Sequence, residues 1–288
     1  MKVLVLGVTG MLGSTVFKQF FNDKELKVWG TLRSINGLQY FPQHTHERLL
    51  GNIDVLEQDS LVDVLEKVRP DVVINCVGLI KQLADANDPL VALPVNTMLP
   101  HRLAKLCALA NARLIHISTD CIFNGRKGMY TEDDISDAED LYGKSKYIGE
   151  VHDLPNVVTL RTSIIGHELN SHTSLLDWFL SQTGTVTGFK KAIFSGLPTD
   201  EMANVIKDYV MPNSSLKGLY HVSVNPIDKY SLLNLIADIY GKKVEILADD
   251  KVQIDRSLDS KKFQQLTGYV PPSWRELIEK MHQGYIGN

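Results

Sequence analysis

The first 21 residues restrict the fold more than any other stretch of this chain. Val3–Leu6 is an unbroken apolar run, and a strand without alternation is one buried on both faces. Glycines follow at G-x-x-G-x-x-G spacing in 7-GVTGMLG-13, and Met11–Phe21 then carries apolar residues at helical spacing. A buried strand that turns through glycines into a helix is the opening of a parallel β-α-β unit, because two parallel strands need a long crossover between them.

The same alternation continues. Strands are predicted at Lys27–Leu32, Val72–Val77 and Leu114–Ser118, with helices at Ser60–Val68 and Pro100–Ala110. The expected fold class is α/β, a doubly wound parallel sheet covered on both faces by helices. The second half is less regular. Strands are expected at Val157–Arg161 and Gly218–Val222, and helices at Leu175–Leu180, Thr199–Val210, Lys229–Tyr240 and Ser273–Met281, the last capped by Ser273 after Pro271-Pro272. Residues 1–165 are expected to form a dinucleotide-binding domain, completed by about 195–222. Residues 166–288 are expected to form mainly a smaller α/β substrate domain. The acidic stretch 131-TEDDISDAED-140 reads as a solvated loop.

Composition excludes several functions. A net charge of −4 over 288 residues offers no basic footprint for nucleic acid. Three cysteines, with no C-x-x-C pair, predict a reducing compartment and no disulfide framework. No run of about 18 apolar residues occurs, and the N-terminal apolar stretch is broken by glycines and Thr9, so neither a membrane span nor a leader is expected. The expected location is the cytoplasm. His44, His46 and Glu47 lie beside a proline without metal-ligand spacing, and no metal site is expected.

The glycine loop predicts a phosphate cradle. Gly7, Gly10 and Gly13 allow close backbone approach, and Thr9, Met11 and Leu12 lie where loop and helix N-terminus would present amides to a pyrophosphate. Arg33 stands after the second strand, where an acidic residue would grip a ribose 2′-hydroxyl; a guanidinium suits a 2′-phosphate. NADPH is therefore the expected cofactor, with NADH as the alternative. Asp54 is expected near the adenine edge, and Cys76, Val77 and Gly78 at a strand end facing the same ligand.

A second constellation follows. Thr119 closes the strand Leu114–Ser118 on the side where open α/β sheets bind ligands. Tyr142 and Lys146 are one helical turn apart. A tyrosine holds its proton too tightly for efficient acid–base work near neutrality, and a neighbouring ammonium is expected to lower its pKa. Tyr142 is thus the expected acid, Lys146 its tuning charge and ribose ligand, and Thr119 the group that orients a carbonyl oxygen.

Together, Gly7-x-x-Gly10-x-x-Gly13, Ser118-Thr119-Asp120, Tyr142-x-x-x-Lys146 and 160-LRTSIIG-166 resemble the extended short-chain dehydrogenase/reductase family. Within it, 118-STDCIFNG-125 and 217-KGLYHVS-223 are similar to the dTDP-4-dehydrorhamnose reductase branch, and the likeness spans nearly the whole chain. The resemblance implies a Rossmann domain, a nucleotide-diphosphate sugar substrate and NADPH-dependent reduction of a 4-keto-6-deoxyhexose for bacterial surface polysaccharide such as O-antigen. Many relatives pair through helices of the Rossmann domain, so a homodimer is among the partners the resemblance implies, though no stripe in this sequence decides it.

Local departures keep other readings open. Dehydratases of the family carry Thr-Asp-Glu where this chain has Thr119-Asp120-Cys121, which removes the base that elimination needs. Cys121 also differs from the tyrosine usual in the rhamnose branch and resembles the epimerisation cysteine of GDP-fucose synthases. His167 and His172 lie in the region of those enzymes' partner histidine. A bifunctional epimerase–reductase using Cys121 and His172 therefore stands beside a simple reductase in which Cys121 is a wall residue. Asp120, Cys121, Trp178 and Arg256 are the expected substrate contacts, Arg256 through the diphosphate. A regulatory subunit of methionine adenosyltransferase resembles the same branch, so a non-catalytic NADP-binding partner protein is the reading from a different class.

Overall fold

A computed structural model describes residues 1–79, 87–170 and 173–286. The main sheet pairs seven strands, all parallel: β1 (Lys2–Leu6), β2 (Lys27–Thr31), β3 (Leu49–Leu50), β4 (Val72–Asn75), β5 (Arg113–Thr119), β6 (Val157–Thr162) and β10 (Gly218–His221). Their spatial order is β3-β2-β1-β4-β5-β6-β10. The chain runs outward from β1 to β3 and then restarts at β4 on the other side of β1. That reversal opens a crevice beyond the carboxyl ends of β1 and β4. The doubly wound α/β fold expected from the sequence is the fold observed.

Helices cover both faces of this sheet. α1 (Met11–Phe21) buries Val16, Phe17 and Phe20 against Val3, Val5 and Val28. Burying each such side chain contributes roughly 1.5–3 kcal/mol. On the opposite face, α2 (Gln58–Val68) packs Leu61, Val64 and Leu65 with Leu4, Leu6 and Val73. Further crossover helices include α5 (Leu141–Ile148) and α7 (Thr199–Val205); α7 lies beside α1, with the Thr15 hydroxyl donating to the Thr199 hydroxyl at 3.1 Å.

The helix expected at Pro100–Ala110 begins earlier. α3 (Pro89–Ala92) runs through a π-helical turn at Leu93–Met98 into α4 (Leu99–Leu109). Pro94 and Pro100 each lack an amide proton, and a widened turn is one way a helix accommodates that loss.

A smaller α/β part was expected, but the strands of its sheet were not predicted individually. β8 (Thr185–Phe194) pairs with β12 (Glu245–Asp255) in parallel and with β11 (Ile227–Asp228) antiparallel. Its apolar side packs on α6 (Leu175–Ser181), α8 (Lys229–Tyr240) and α10 (Trp274–Ile286), with Leu176, Phe179, Leu232, Ile236 and Ile278 at the centre. β12 alternates weakly and is largely exposed, so its sequence carries little strand signal. Two short strands, β7 (Ile164–Ile165) and β9 (Leu197–Pro198), pair in parallel, and α9 (Lys261–Thr267) lies beside β10. Ser273 and Glu276 start α10 reciprocally: the Ser273 amide donates to Glu276 Oε2 at 2.8 Å, and the Glu276 amide to Ser273 Oγ at 3.4 Å.

The acidic stretch 131–140 is not merely solvated, which corrects the sequence reading. Asp140 caps α5 by accepting from the Gly143 amide at 2.7 Å, and Asp137 accepts from the Asn124 amide at 2.7 Å. Glu132 accepts from the His221 amide at 2.8 Å. Its carboxylates are acceptors for orphan amides, a role that charge density alone does not reveal.

Candidate active site

The glycine loop lies at the carboxyl end of β1, at the reversal of strand order. Gly7 has φ +80°, which an L side chain rarely adopts, and its amide donates to Thr31 Oγ1 at 3.2 Å. A Cβ on Gly13 would stand 2.2 Å from the Gly7 carbonyl oxygen. The loop is therefore folded so tightly that backbone replaces side chain. Gly10 is the N-cap of α1, and no side chain caps that helix. An uncapped helix N-terminus behind a glycine cradle fits a pyrophosphate, because amide protons and the helix dipole both favour an anion there. Thr9 stands at the rim, against the 3₁₀ turn Ile35–Tyr40.

Arg33 is exposed just past β2, before Ser34 caps that turn. Asp54 is exposed beyond β3 and accepts from the Leu56 amide at 2.9 Å. Cys76, Val77 and Gly78 follow β4; Val77 packs against Gly7 of the loop, Gly78 faces Asn96 and Lys146, and the Val77 amide donates to Asn75 Oδ1 at 3.1 Å. Burial pushes the Cys76 thiol up to about 12, so it stays protonated.

Thr119 ends β5, and its Oγ1 accepts from the Cys121 amide at 3.1 Å and donates to Asp120 Oδ1 at 3.2 Å. Tyr142, in the first turn of α5, lies beside the Thr119 hydroxyl. Lys146 is buried, donates from Nζ to the Ile117 carbonyl at 2.8 Å, and faces Gly78. Burial lowers its pKa to about 8, opposed by Glu150 and Cys76.

The tuning of Tyr142 differs from the sequence expectation. Its pKa is raised, first by burial and then by Cys121, with Asp120 and Asp140 adding to it. Lys146 is not among the groups that move it; its Nζ donates to the Ile117 carbonyl instead. Tyr142 therefore holds its proton across the neutral range.

Two buried residues at this site escaped the sequence reading. Asn96, inside the π turn, accepts from the Leu79 amide at 3.0 Å through Oδ1 and donates to Ser145 Oγ at 3.2 Å. Its signal was the proline-interrupted helix, since single π turns frequently mark functional sites. His116 is fully buried, with Nδ1 3.1 Å from Asn75 Nδ2. Desolvation and the nearby Lys146 hold its pKa well below the usual histidine range.

Beyond Tyr142 opens a cleft of about 360 Å³ lined by Cys121, Phe123, Asn124, Glu139, Asp140 and Arg256. Arg256 reaches it from the end of β12, donating from Nε to the Phe123 carbonyl at 2.6 Å and lying 3.9 Å from Cys121 Sγ through Nη1. Asp120 is buried and its pKa is raised by desolvation; Arg256 and Lys229 both oppose that rise. Lys229, at the start of α8, is a further cation on this side that sequence alone did not single out. Its position depends on the second sheet folding back onto the first.

Other candidates lie elsewhere. Trp178 stands exposed on the face of α6 opposite buried Leu176 and Phe179, so the structure does not bring it into this cleft. His167 bonds Asp177 Oδ1 and the Tyr240 hydroxyl, each at 3.0 Å, and stacks on Tyr285, which ties it into the second core. His172 lies outside the described residues. His46 Nε2 is 2.9 Å from the Phe41 carbonyl, and the His44 ring lies beside Phe21.

The family model described as the RmlD substrate binding domain matches residues 1–286. The chain belongs to this family. Among curated proteins it is similar to methionine adenosyltransferase 2 subunit beta of Mus musculus, 27% identical over 260 residues, covering 83% of this chain and 72% of that one. It is also similar to the probable low-salt glycan biosynthesis reductase Agl14 of Haloferax volcanii, 26% identical over 282 residues, covering 90% and 84%. Among solved structures, the dTDP-4-dehydrorhamnose reductase of Bacillus anthracis in complex with NADP superposes with TM-score 0.79 at 22% identity, covering 98% of this chain and 99% of that one. At that identity the likeness speaks for the fold. Among the described residues, no helix is long and apolar enough to cross a membrane.

Proposed function

We propose that this member of the RmlD family is an NADPH-dependent nucleotide-sugar 4-ketoreductase acting on a 4-keto-6-deoxyhexose in bacterial surface-polysaccharide synthesis. The observation that carries the reading is the convergence of Thr119, Tyr142 and Lys146 between the glycine cradle and the cleft beside Arg256. The division into residues 1–165, completed by 195–222, and 166–288 belongs to the same proposal: the first part would hold the cofactor and the second the sugar nucleotide.

When bound, the nicotinamide cofactor would supply the hydride that the ketone carbon accepts. Tyr142 would donate its proton to the developing alkoxide, and its raised pKa suits a donor that must arrive protonated. Thr119 would hold the same oxygen. Lys146, facing Gly78, would bind ribose hydroxyls, and Arg256 would meet the diphosphate with Lys229 adding positive charge. Arg33 favours the 2′-phosphate of NADPH by charge and exposure; Arg33→Ala is expected to weaken NADPH binding more than NADH binding, and equal losses measured by fluorescence titration would remove that argument.

The test is turnover of NADPH with enzymatically generated dTDP-, UDP- or GDP-4-keto-6-deoxyhexose in deuterated water, followed by proton NMR. Ketone loss without deuterium at C3 and C5 means simple reduction. Deuterium there would mean epimerisation as well, the reading in which Cys121 and His172 serve as the proton-transfer pair, and Cys121 lining the cleft supports its part in it. In Tyr142→Phe, turnover is expected to fall at least ~100-fold, while NADPH binding persists. A second reading follows from the likeness to methionine adenosyltransferase 2 subunit beta: a cofactor-binding partner protein without turnover. NADPH binding with no oxidation by any of the three substrates, together with stable association with a methionine adenosyltransferase catalytic chain, would favour it.

A further inference from the structure

Residues 123–130, just beyond the carboxyl end of β5, are bent in a way that their own sequence only partly favours. Gly125 and Gly128 have φ +85° and +71°, and Met129 has φ +44°. Among the described residues, four other than glycine have positive φ. Asn52 and Asn111 are of a type that tolerates it, and Arg69 closes α2 in left-handed form. Met129 has no such reason. A long side chain stays in that region only where its surroundings over-determine it, and such positions gather at functional sites.

What holds the bend is the segment that carries Arg256. The Met129 amide donates to Ser257 Oγ at 2.8 Å, and the Tyr130 amide to the Ser257 carbonyl at 2.9 Å. In return the Asp255 amide donates to the Gly125 carbonyl at 2.7 Å, and Arg256 Nε to the Phe123 carbonyl at 2.6 Å. Ser257 is fully buried. The two strands of chain lie so close that a Cβ on Gly128 would run into the Asp255 carboxylate. The Tyr130 ring stacks on Phe123, centroids 4.0 Å apart and planes 6° from parallel, which steadies Phe123 from its side-chain end. Among these groups the Ser257 hydroxyl is the one that meets the strained residue itself. The result reaches the cleft through Arg256. With Nε committed to the Phe123 carbonyl, the planar guanidinium cannot turn freely, and its Nη1 stays 3.9 Å from Cys121 Sγ at the cleft wall. A fork fixed in advance loses less freedom when it grips an anion.

We propose that Ser257 is a positioning residue for substrate binding: its hydroxyl holds the left-handed bend at Met129, and the loop so held keeps the Arg256 guanidinium facing the cleft before a nucleoside diphosphate arrives. The proposal rests on the reading of Arg256 as the diphosphate contact, but its first readout needs no ligand. The Arg256 Nε–H resonance is identified by its loss in Arg256→Ala, and its exchange with solvent is followed by ¹⁵N NMR. In Ser257→Ala that exchange is expected to speed up by about tenfold or more, the order set by leaving an amide without its acceptor. Calorimetric titration with UDP, dTDP and GDP, each alone, is expected to show the same variant binding the preferred diphosphate about tenfold more weakly, with NADPH affinity unchanged. Adding Met129→Gly to Ser257→Ala is expected to recover most of both losses, because glycine holds φ +44° unaided. A purely structural serine would lower the melting temperature and leave Nε–H exchange and diphosphate affinity at their wild-type values; that result would overturn the proposal. Should Ser257→Ala not fold, Gly128→Ala disturbs the same contact from the loop side and must speed Nε–H exchange, and no change there would overturn the proposal equally. Failure of the diphosphate reading shows separately: Arg256→Ala would then bind the three diphosphates no more weakly than the wild type, while the faster exchange in Ser257→Ala persists.

Discussion

Lys146 and Tyr142 show how burial, more than sequence spacing, decides the chemistry of a residue. Four residues apart on a helix, they promised a lysine that acidifies a tyrosine. In the folded site desolvation moves both: the ammonium becomes easier to deprotonate and the phenol harder. The consequence is a pH dependence with a definite sign. Above about 8 Lys146 loses its charge while Tyr142 remains protonated, so kcat/KM for reduction is expected to decline on the alkaline side with an apparent pKa near about 8. A profile flat to well beyond that pH would show that the charge on Lys146 is not needed. Stability carries the same sign check. The folded pKa of Lys146 is depressed, so its burial penalty is full below about 8 and is relieved as pH rises toward the ordinary lysine value.

At the scale of elements, the site depends on where strands stop and helices begin. The spacing of the glycine loop was legible because backbone approach leaves a compositional trace: only glycine tolerates the 2.2 Å encounter at position 13. Gly13→Ala is expected to lower stability by roughly 1–3 kcal/mol, the usual cost of forced overpacking, and to abolish NADPH binding; a thermal melt with a cofactor titration checks both. The cap of α5 left a subtler trace, three residues before the Gly143 amide in an acidic run that composition assigns to solvent. Asp140→Ala is expected to cost about 1 kcal/mol of stability and to reduce turnover more than Asp137→Ala, because Asp140 fixes the turn that carries Tyr142. Equal effects on turnover would argue against that positioning. The π turn holding Asn96 was hidden for a physical reason: the i→i+5 pattern that turns Asn96 onto Ser145 depends on packing against α5, not on local spacing.

At the scale of the whole molecule, cofactor and substrate sides come from distant parts of the chain. Arg256 and Lys229 reach Cys121 and Asp120 only because β12 and α8 fold back beside the carboxyl end of β5. A ligand bound only by the folded state must stabilise it. NADPH at 100 times its Kd is expected to raise the unfolding free energy by about 2.7 kcal/mol, read from denaturant curves with and without cofactor. No shift at saturating NADPH would remove the cofactor reading altogether.

The sequence alone determined the parallel layered sheet, the glycine turn and the pairing of Tyr142 with Lys146 on one helix. Each depends on local periodicity or on a backbone geometry that one residue type satisfies. Tertiary structure decided the rest. The second sheet, with its exposed and weakly alternating β12, the displacement of Trp178 from the cleft and the convergence of Arg256 and Lys229 on Cys121 all rest on contacts between segments far apart in the chain. So does the way burial reset the proton affinities of the catalytic pair. Desolvation belongs to the assembled interior, and no pattern along the chain encodes it.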